Sequence, residues 1–600
     1  MKEPWRTRAA LGAILLLALV LRLWGSRFGA PHLYHPDEPK LVTYAMRLMD
    51  VAHLSRDGFL KNGIYPPLTP YLYVLGFVAH GVVGALGAFG PAASLAGTLA
   101  DQGNQFSIYY TARLVSIACA VATVLVSYLL GSRLYGRRVG LVAALLLALC
   151  PLHVRDAHYA TADVPATLFA TLAVLAAART LEDGSRRAAM VAGLAAALAA
   201  AAKYQAGVVA LVVVLALVLG RWLRGEGVLS RATLGRVALA GAASLALFLV
   251  LVPFPILDAI SHFGYGAAWK VGNAWRFQME VETEGKVGIL RGDGPFALLT
   301  GRVYPGFGFT RPNDLPRGMG FGLFAASMVS TIVLAARGVV RRRGTDLVLV
   351  ALPIAIILLI DRMHYQAVRH LLPAVPCLAI AAAAGLVALV DGACRRLGRP
   401  SVAALATIIV AVALAGEGGA RAARANQELA REDSRTIALG WLERRYPRGA
   451  KVALEFYGPP LVKARTPSRG ADGRPRFALH DTAILRYFGG DDRREPSDPK
   501  RAIQRFAPDA IVLDGWSGHR FYLDEARRHH PRLSAQRREL YRWIESSYRL
   551  ATTIRGEDSG RQGPTIRIFT ARSASPSGAA PPRPGRSSTT GRAGRSGESS

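Results

Sequence analysis

His35-Pro36-Asp37-Glu38-Pro39 follows directly on the first apolar run of the chain, Leu11 to Trp24. Two adjacent carboxylates therefore stand where an apolar helix would meet water. Taken alone, an Asp-Glu pair reads as a solvated loop. The rest of the sequence weighs against that, because it returns charged and aromatic residues to the same side of the apolar runs: His153 to Asp163, Lys203-Tyr204-Gln205, and Asp361 to His370.

The 600 residues are 51% hydrophobic, with several uninterrupted apolar runs near the length of a bilayer span, which predicts a mostly α polytopic membrane protein. The net charge of +32 would suggest nucleic acid in a soluble chain. Here the arginines cluster in short segments between apolar runs, as cytoplasmic loops do, and nucleic-acid binding is excluded. Cys119, Cys150, Cys377 and Cys394 lie in or beside apolar runs without paired spacing, so neither a disulfide framework nor a zinc site is signalled. Lys2, Arg6 and Arg8 ahead of the first run, with no small-residue cleavage site behind it, read as an uncleaved first span.

Those basic residues hold the N-terminus inside, which delivers Asp37 and Glu38 to the outer face of the plasma membrane. The strongly basic loop Arg133 to Arg138 then permits only an odd number of crossings between, of which Tyr109 to Leu130 is one. Residues 66–90, with Pro66, Pro67, Pro70 and His80, are better read as a helix lying in or dipping into the outer interface. The apolar run Ala188 to Gly220, at about 33 residues and 1.5 Å each, is roughly 50 Å long against a core of about 30 Å. It must be a hairpin with Lys203-Tyr204-Gln205 at its outward tip, since a lysine at mid-bilayer would cost on the order of 3 kcal/mol. Continuing in this way gives about eleven crossings, with the acidic outer loop at 25–108 and a long aromatic and charged outer loop at 255–317.

The membrane domain is expected over 1–420. Residues 421–572 alternate helical stretches (Ser434 to Tyr446, Lys500 to Phe506, Leu523 to His530) with short strand-like runs (Lys451 to Phe456, Ala510 to Asp514), predicting a small extracytoplasmic α/β domain. The tail 573–600 is too poor in apolar residues to bury anything and is read as disordered.

Asp37-Glu38, Tyr65-Pro66-Pro67-Leu68, His158 to Pro165, Ala202-Lys203-Tyr204 and Arg369-His370-Leu371-Leu372-Pro373 occur in order over about residues 1 to 390. Together they resemble the bacterial branch of the dolichyl-phosphate-mannose protein mannosyltransferase superfamily, the GT-C-fold glycosyltransferases, a group that includes the aminoarabinose transferases of lipid A. The resemblance implies an enzyme that takes a sugar from a polyprenyl-phosphate donor and hands it to a glycan, lipid or protein acceptor at the outer face. Where the aminoarabinose transferases carry a Glu-Lys pair ahead of the proline, this chain has Tyr65-Pro66, so those ligands are not carried over, which speaks against lipid A as acceptor.

Such a transfer needs a carboxylate to take the acceptor's proton and cations to hold the departing phosphate. The resemblance gives Asp37 the role of general base, with Glu38 assisting. Asp163 either positions the acceptor or shares a divalent cation with Asp37, the one cofactor the pattern suggests; the alternative is a helix N-cap ahead of Val164-Pro165. Lys203 and Arg369 are the candidate phosphate clamps, with His370 beside them, against the ordinary reading of interfacial snorkelling. Tyr65, His158 and Tyr204 complete the expected substrate contacts. His153 and His158 are not read as metal ligands, since a lone histidine at a helix end is more often hydrogen-bonded. The competing class is a transporter or lipid-carrier scaffold, which would need ionisable groups near the midplane in repeated halves; no such repeat is present.

Overall fold

The structure, a computed structural model, describes residues 5–49, 65–85, 105–225, 227–228, 230–253, 294–303, 311–363, 366–461, 476–481, 499–519, 522 and 531–572. Most of the long loop at 255–317, the helix read over Leu523 to His530 and the tail 573–600 lie outside these residues.

The membrane part runs through α1 (Trp5–Leu23), α2 (Glu38–Met49), α3 (Leu68–Ala85), α4 (Gln105–Tyr135), α5 (Arg137–Ala148), α6 (Pro151–Ala157), α7 (Asp163–Glu182), α8 (Arg186–Ala202), α9 (Val209–Leu223), α10 (Arg231–Leu251), α11 (Phe321–Val340), α12 (Gly344–Arg362), α13 (Val375–Arg396) and α14 (Ala403–Ala430). Among the described residues eight helices are long and apolar enough to span a bilayer, or nine if α5 and α6, bent by 61°, make one span. The eleven crossings read from sequence also counted α1 and α8, which fall short of that measure. Both are helices, but α1 carries Arg6, Arg8 and Arg22, and α8 has only 17 residues, about 25 Å of helix. The segment at 66–90 contains α3, an 18-residue helix that also falls short.

Local sequence accounts for the breaks. Gly136 takes φ 93, a left-handed turn that joins α4 to α5. At Gly140 an added Cβ would stand 2.1 Å from Ser132 Oγ and 2.6 Å from the Tyr128 carbonyl, so glycine lets the two helices run back to back. Pro151 cannot donate to the turn before it, and α6 tilts away from α5 there. Arg22, fully buried on α1, donates to the carbonyls of Leu147 and Ala148 at the end of α5 and to His153 Nδ1, closing the bend.

One end of the bundle gathers the arginines. Arg133 pairs with Glu182, Arg138 with Asp391, and Arg337 with Asp346, which also accepts from Tyr135. The opposite end carries Asp37, Asp163, Lys203 and Arg369.

Beyond α14, which runs past residue 420 to Ala430, the chain folds into an α/β domain. Its sheet has the order β2-β1-β3-β5-β4, from β1 (Lys451–Leu454), β2 (Ala478–Asp481), β3 (Ala510–Asp514), β4 (Tyr548–Ile554) and β5 (Ile566–Ala571). The first three are parallel and the last two antiparallel. Alternation puts Val452, Leu454, Val512 and Ile568 on one face, against Ala438, Leu439 and Leu442 of α15 (Ser434–Arg445). Ala453, Ile511, Leu513 and Phe569 face the other way, against Ile503, Leu540 and Ile544 from helices Pro499–Phe506 and Pro531–Ser547. The central strand β3 is buried throughout, as a strand covered on both faces should be.

Candidate active site

Asp37 stands at the mouth of α2, in the loop that leaves α1. Pro39 enters the first turn of α2, where its missing N–H costs nothing, and the Lys40 N–H returns to the Asp37 carbonyl at 3.1 Å. This turn places Lys40 over the acidic side chain, with Nζ 2.8 Å from Asp37 Oδ1. Arg369 approaches from the 3₁₀ turn Val368–Ala374 ahead of α13 and donates from Nη1 to Asp37 Oδ2 at 2.9 Å. Burial would raise the Asp37 carboxyl, but Arg369 and Lys40 outweigh it and hold it well below the usual carboxylate range. Asp37 is still a quarter exposed, so a ligand can reach it.

His35 supports this loop. Its Nδ1 accepts the Asp37 N–H at 3.2 Å, which requires the neutral ring, and the ring lies against Tyr159 at 4.3 Å between centroids. Burial pushes His35 down to about 4, against the pull of Glu38 and Asp37.

The neighbouring Glu38 faces the other way. It is fully buried and held by Arg113 of α4, Nε to Oε1 and Nη2 to Oε2, both at 2.7 Å, while Oε1 also accepts the Ala160 N–H. Arg113 Nη1 reaches the carbonyls of Ser26 and Phe28 as well. The pair thus ties three segments together, and Glu38, expected to assist in catalysis, touches no open space.

Asp163 opens α7 but does not cap it; Ala162 holds the cap position and no side chain caps the helix. Its carboxylate takes Lys203 Nζ at 2.6 Å instead. Lys203 is an extended residue (φ −157, ψ 125) that interrupts the apolar run between α8 and the 3₁₀ turn Tyr204–Val208, where the hairpin tip is expected. Arg369 and the buried His370 are close enough to Asp163 to interact with its charge, and His370 is near enough to Lys203 and Asp37 to feel theirs. Tyr65 joins the group through Lys40, whose Nζ lies 6.0 Å from its ring centroid. Asp37, Lys40, Tyr65, Asp163, Lys203, Arg369 and His370 therefore converge.

Two expected substrate contacts do not join them. His158 is fully buried, its Nδ1 2.8 Å from the Val154 carbonyl and its Nε2 2.9 Å from that of Trp24. Tyr204 packs edge-on against Phe248 of α10, 6.5 Å between centroids. Sequence reasoning passed over Lys40, although it lies three residues after Asp37, and Arg113, although an arginine within an apolar run signals a paired buried charge. It also left aside Arg155 and Asp156, a buried bidentate pair whose arginine reaches the Pro312 carbonyl at 2.9 Å.

Among the described residues no three His, Cys, Asp or Glu side chains are placed to hold a metal ion together. Among the described residues Lys40 and Arg369 pair with Asp37 and Lys203 pairs with Asp163, three cations on two carboxylates, a balance that favours a further anion.

Residues 99–253 match the dolichyl-phosphate-mannose-protein mannosyltransferase family. The structure is similar to that of ArnT from Cupriavidus metallidurans bound to undecaprenyl phosphate, at TM-score 0.50 and 15% identity, covering 95% of this chain and 98% of that one. The fold is that of the GT-C glycosyltransferases. A second GT-C structure, the Archaeoglobus fulgidus oligosaccharyltransferase in complex with Zn and sulfate, is similar at TM-score 0.51 and 13% identity, over 90% of this chain and 71% of that one. No curated protein matches the chain by sequence. The GT-C fold agrees with the architecture above: a helical membrane bundle followed by a small domain containing a sheet.

Proposed function

We propose that this protein is a membrane glycosyltransferase that moves a sugar from a polyprenyl-phosphate donor to an acceptor hydroxyl at the extracytoplasmic face, with the N-terminus cytoplasmic and the α/β domain outside. The observation that carries this reading is the pair of ion pairs, Asp37 with Arg369 and Asp163 with Lys203, meeting at one end of the bundle. Each joins a carboxylate suited to a hydroxyl substrate to a cation suited to a phosphate. A transporter would need such charges near the midplane, in repeated halves.

In this reading the donor phosphate lies against Arg369 and Lys203, the first through its planar fork and the second as a point charge. The acceptor oxygen attacks the anomeric carbon, the bond from that carbon to the phosphate oxygen breaks, and polyprenyl phosphate leaves with the bond's electrons. The acceptor's proton passes to Asp37. A carboxylate gripped by two cations is a poor base, and the donor phosphate relieves this by competing for Arg369, which makes Asp37 more basic once the donor is seated. Asp163 and Tyr65 border the space left for sugar and acceptor.

The test is transfer in vesicles containing the purified protein, a panel of radiolabelled undecaprenyl-phosphate sugars and envelope fractions as acceptors. Labelled product that depends on Asp37 supports the reading, and movement of label across the bilayer without bond transfer would replace it with the transporter class.

A further inference from the structure

The α/β domain reaches the reaction centre by two separate routes, and the routes end on opposite members of one ion pair. On the first, Arg435 of α15 is fully buried with both Asp433 oxygens on its guanidinium, at 2.8 and 2.7 Å. Its charge is thus answered within its own segment. It nevertheless donates to the Tyr34 carbonyl at 3.4 Å and lies 3.9 Å over the Tyr34 ring, while Thr436 Oγ1 meets the Tyr34 hydroxyl at 2.7 Å. Phe28, Tyr34 and Tyr159 then form one buried cluster with Trp516 of the α/β domain. From Tyr159 the contact passes to His35, and from His35 to the Asp37 N–H.

On the second route, Glu557, in the turn between β4 and β5, pairs with Arg311 at 2.8 Å. The following Pro312 carbonyl takes Arg155, and Asn313 Oδ1 accepts the Val368 N–H at 3.3 Å. Val368 immediately precedes Arg369. Neither route belongs to the two packed layers that hold the sheet together, so both exist at the junction alone.

We infer that the α/β domain is a clamp that sets the spacing between Asp37 and Arg369, with Arg435 and Thr436 positioning the first and Glu557, through Arg311, positioning the second. This rests on the transferase reading above. A clamp of this form separates two kinetic quantities, because Asp37 acts on the acceptor's proton while Arg369 meets the donor phosphate.

The full-length protein in nanodiscs tests it with two readouts that need no sugar transfer, hydrogen–deuterium exchange and binding of undecaprenyl phosphate, together with transfer kinetics. Thr436→Val and Arg435→Lys should speed exchange over residues 26–37 and lower kcat about tenfold, while leaving lipid-phosphate affinity unchanged. Arg311→Gln and Glu557→Gln should weaken undecaprenyl phosphate binding about tenfold without altering exchange at 26–37, and the swap Arg311→Glu with Glu557→Arg should restore it. Thr436→Val removes one hydroxyl and guards against the chance that an Arg435 variant does not fold. Equal losses in every readout, no change in any, or a swap that fails to restore binding would overturn the clamp. If the unaltered protein transfers no sugar, the transferase reading falls, while exchange and lipid-phosphate binding still decide the clamp.

Discussion

Arg369 closes on Asp37 across 332 positions of sequence, its Nη1 donating to Oδ2 at 2.9 Å while Lys40 holds the other oxygen. Replacing the carboxylate by an amide keeps the shape of this contact and removes the proton acceptor. Asp37→Asn should therefore lower sugar transfer in reconstituted vesicles by roughly 100-fold to 10,000-fold, with the protein still inserted and folded. Transfer at the unaltered rate would reject Asp37 as the base.

Arg369 and Lys203 should differ in what their loss does. Arg369→Lys keeps the charge but loses the planar fork, and should raise the donor KM while also freeing Asp37 from one partner. Lys203→Ala removes a point charge and leaves Asp163 buried without its cation. Undecaprenyl phosphate binding to Lys203→Ala, measured by native mass spectrometry, should weaken about 10-fold to 100-fold, the worth of one hydrogen bond to a charged group. Unchanged binding would remove Lys203 from the phosphate site.

Glu38 should behave differently from its neighbour. Its bond to Arg113 is buried on both sides, and removing one partner of such a pair typically costs about 3–5 kcal/mol because the other is left uncompensated. Glu38→Gln should lower the unfolding temperature in detergent and the yield of folded protein. If it spared stability and lowered only kcat, Glu38 would be a catalytic residue after all.

The stability of the loop at Asp37 should depend on pH through His35. Its ordinary value is 6.5 and burial brings it down to about 4, so between these values the unfolded chain binds the proton and the folded one does not. Stability from this group is complete above about 6.5 and is lost as the pH falls towards 4. The unfolding temperature should drop over that interval, and the difference between the native protein and His35→Gln should shrink across it. A difference that stays constant with pH would exclude the buried neutral ring.

The fold was legible wherever composition alone decides. Apolar runs and basic loops marked the spans, and short strand-like apolar runs marked β1 and β3. The count of crossings was harder because α1 and α8 are short or charged, and a run of alanines such as α8 carries little hydropathy per residue. Strands β2, β4 and β5 escaped notice; β4, with Arg549 and Leu550 exposed, lies at the edge of the sheet and lacks a clear apolar face. In the site, Asp37, Asp163, Lys203 and Arg369 could be named because charge beside an apolar run is costly and needs a reason. Whether a carboxylate faces the cleft or the interior cannot be read from its neighbours in sequence. Asp37 and Glu38 are adjacent, yet one meets Arg369 and the other meets Arg113, a choice made by helices that arrive much later in the chain.

That lateness bears on biosynthesis. The loop bearing Tyr34 and Asp37 is synthesised well before Thr436, which holds Tyr34 and comes 402 residues after it. Until Arg369 and then the distal domain have been made, the loop lacks the arginine that meets Asp37 and the hydroxyl that meets Tyr34. In the transferase reading, a chain interrupted before Arg369 would lack the guanidinium proposed to hold the donor phosphate.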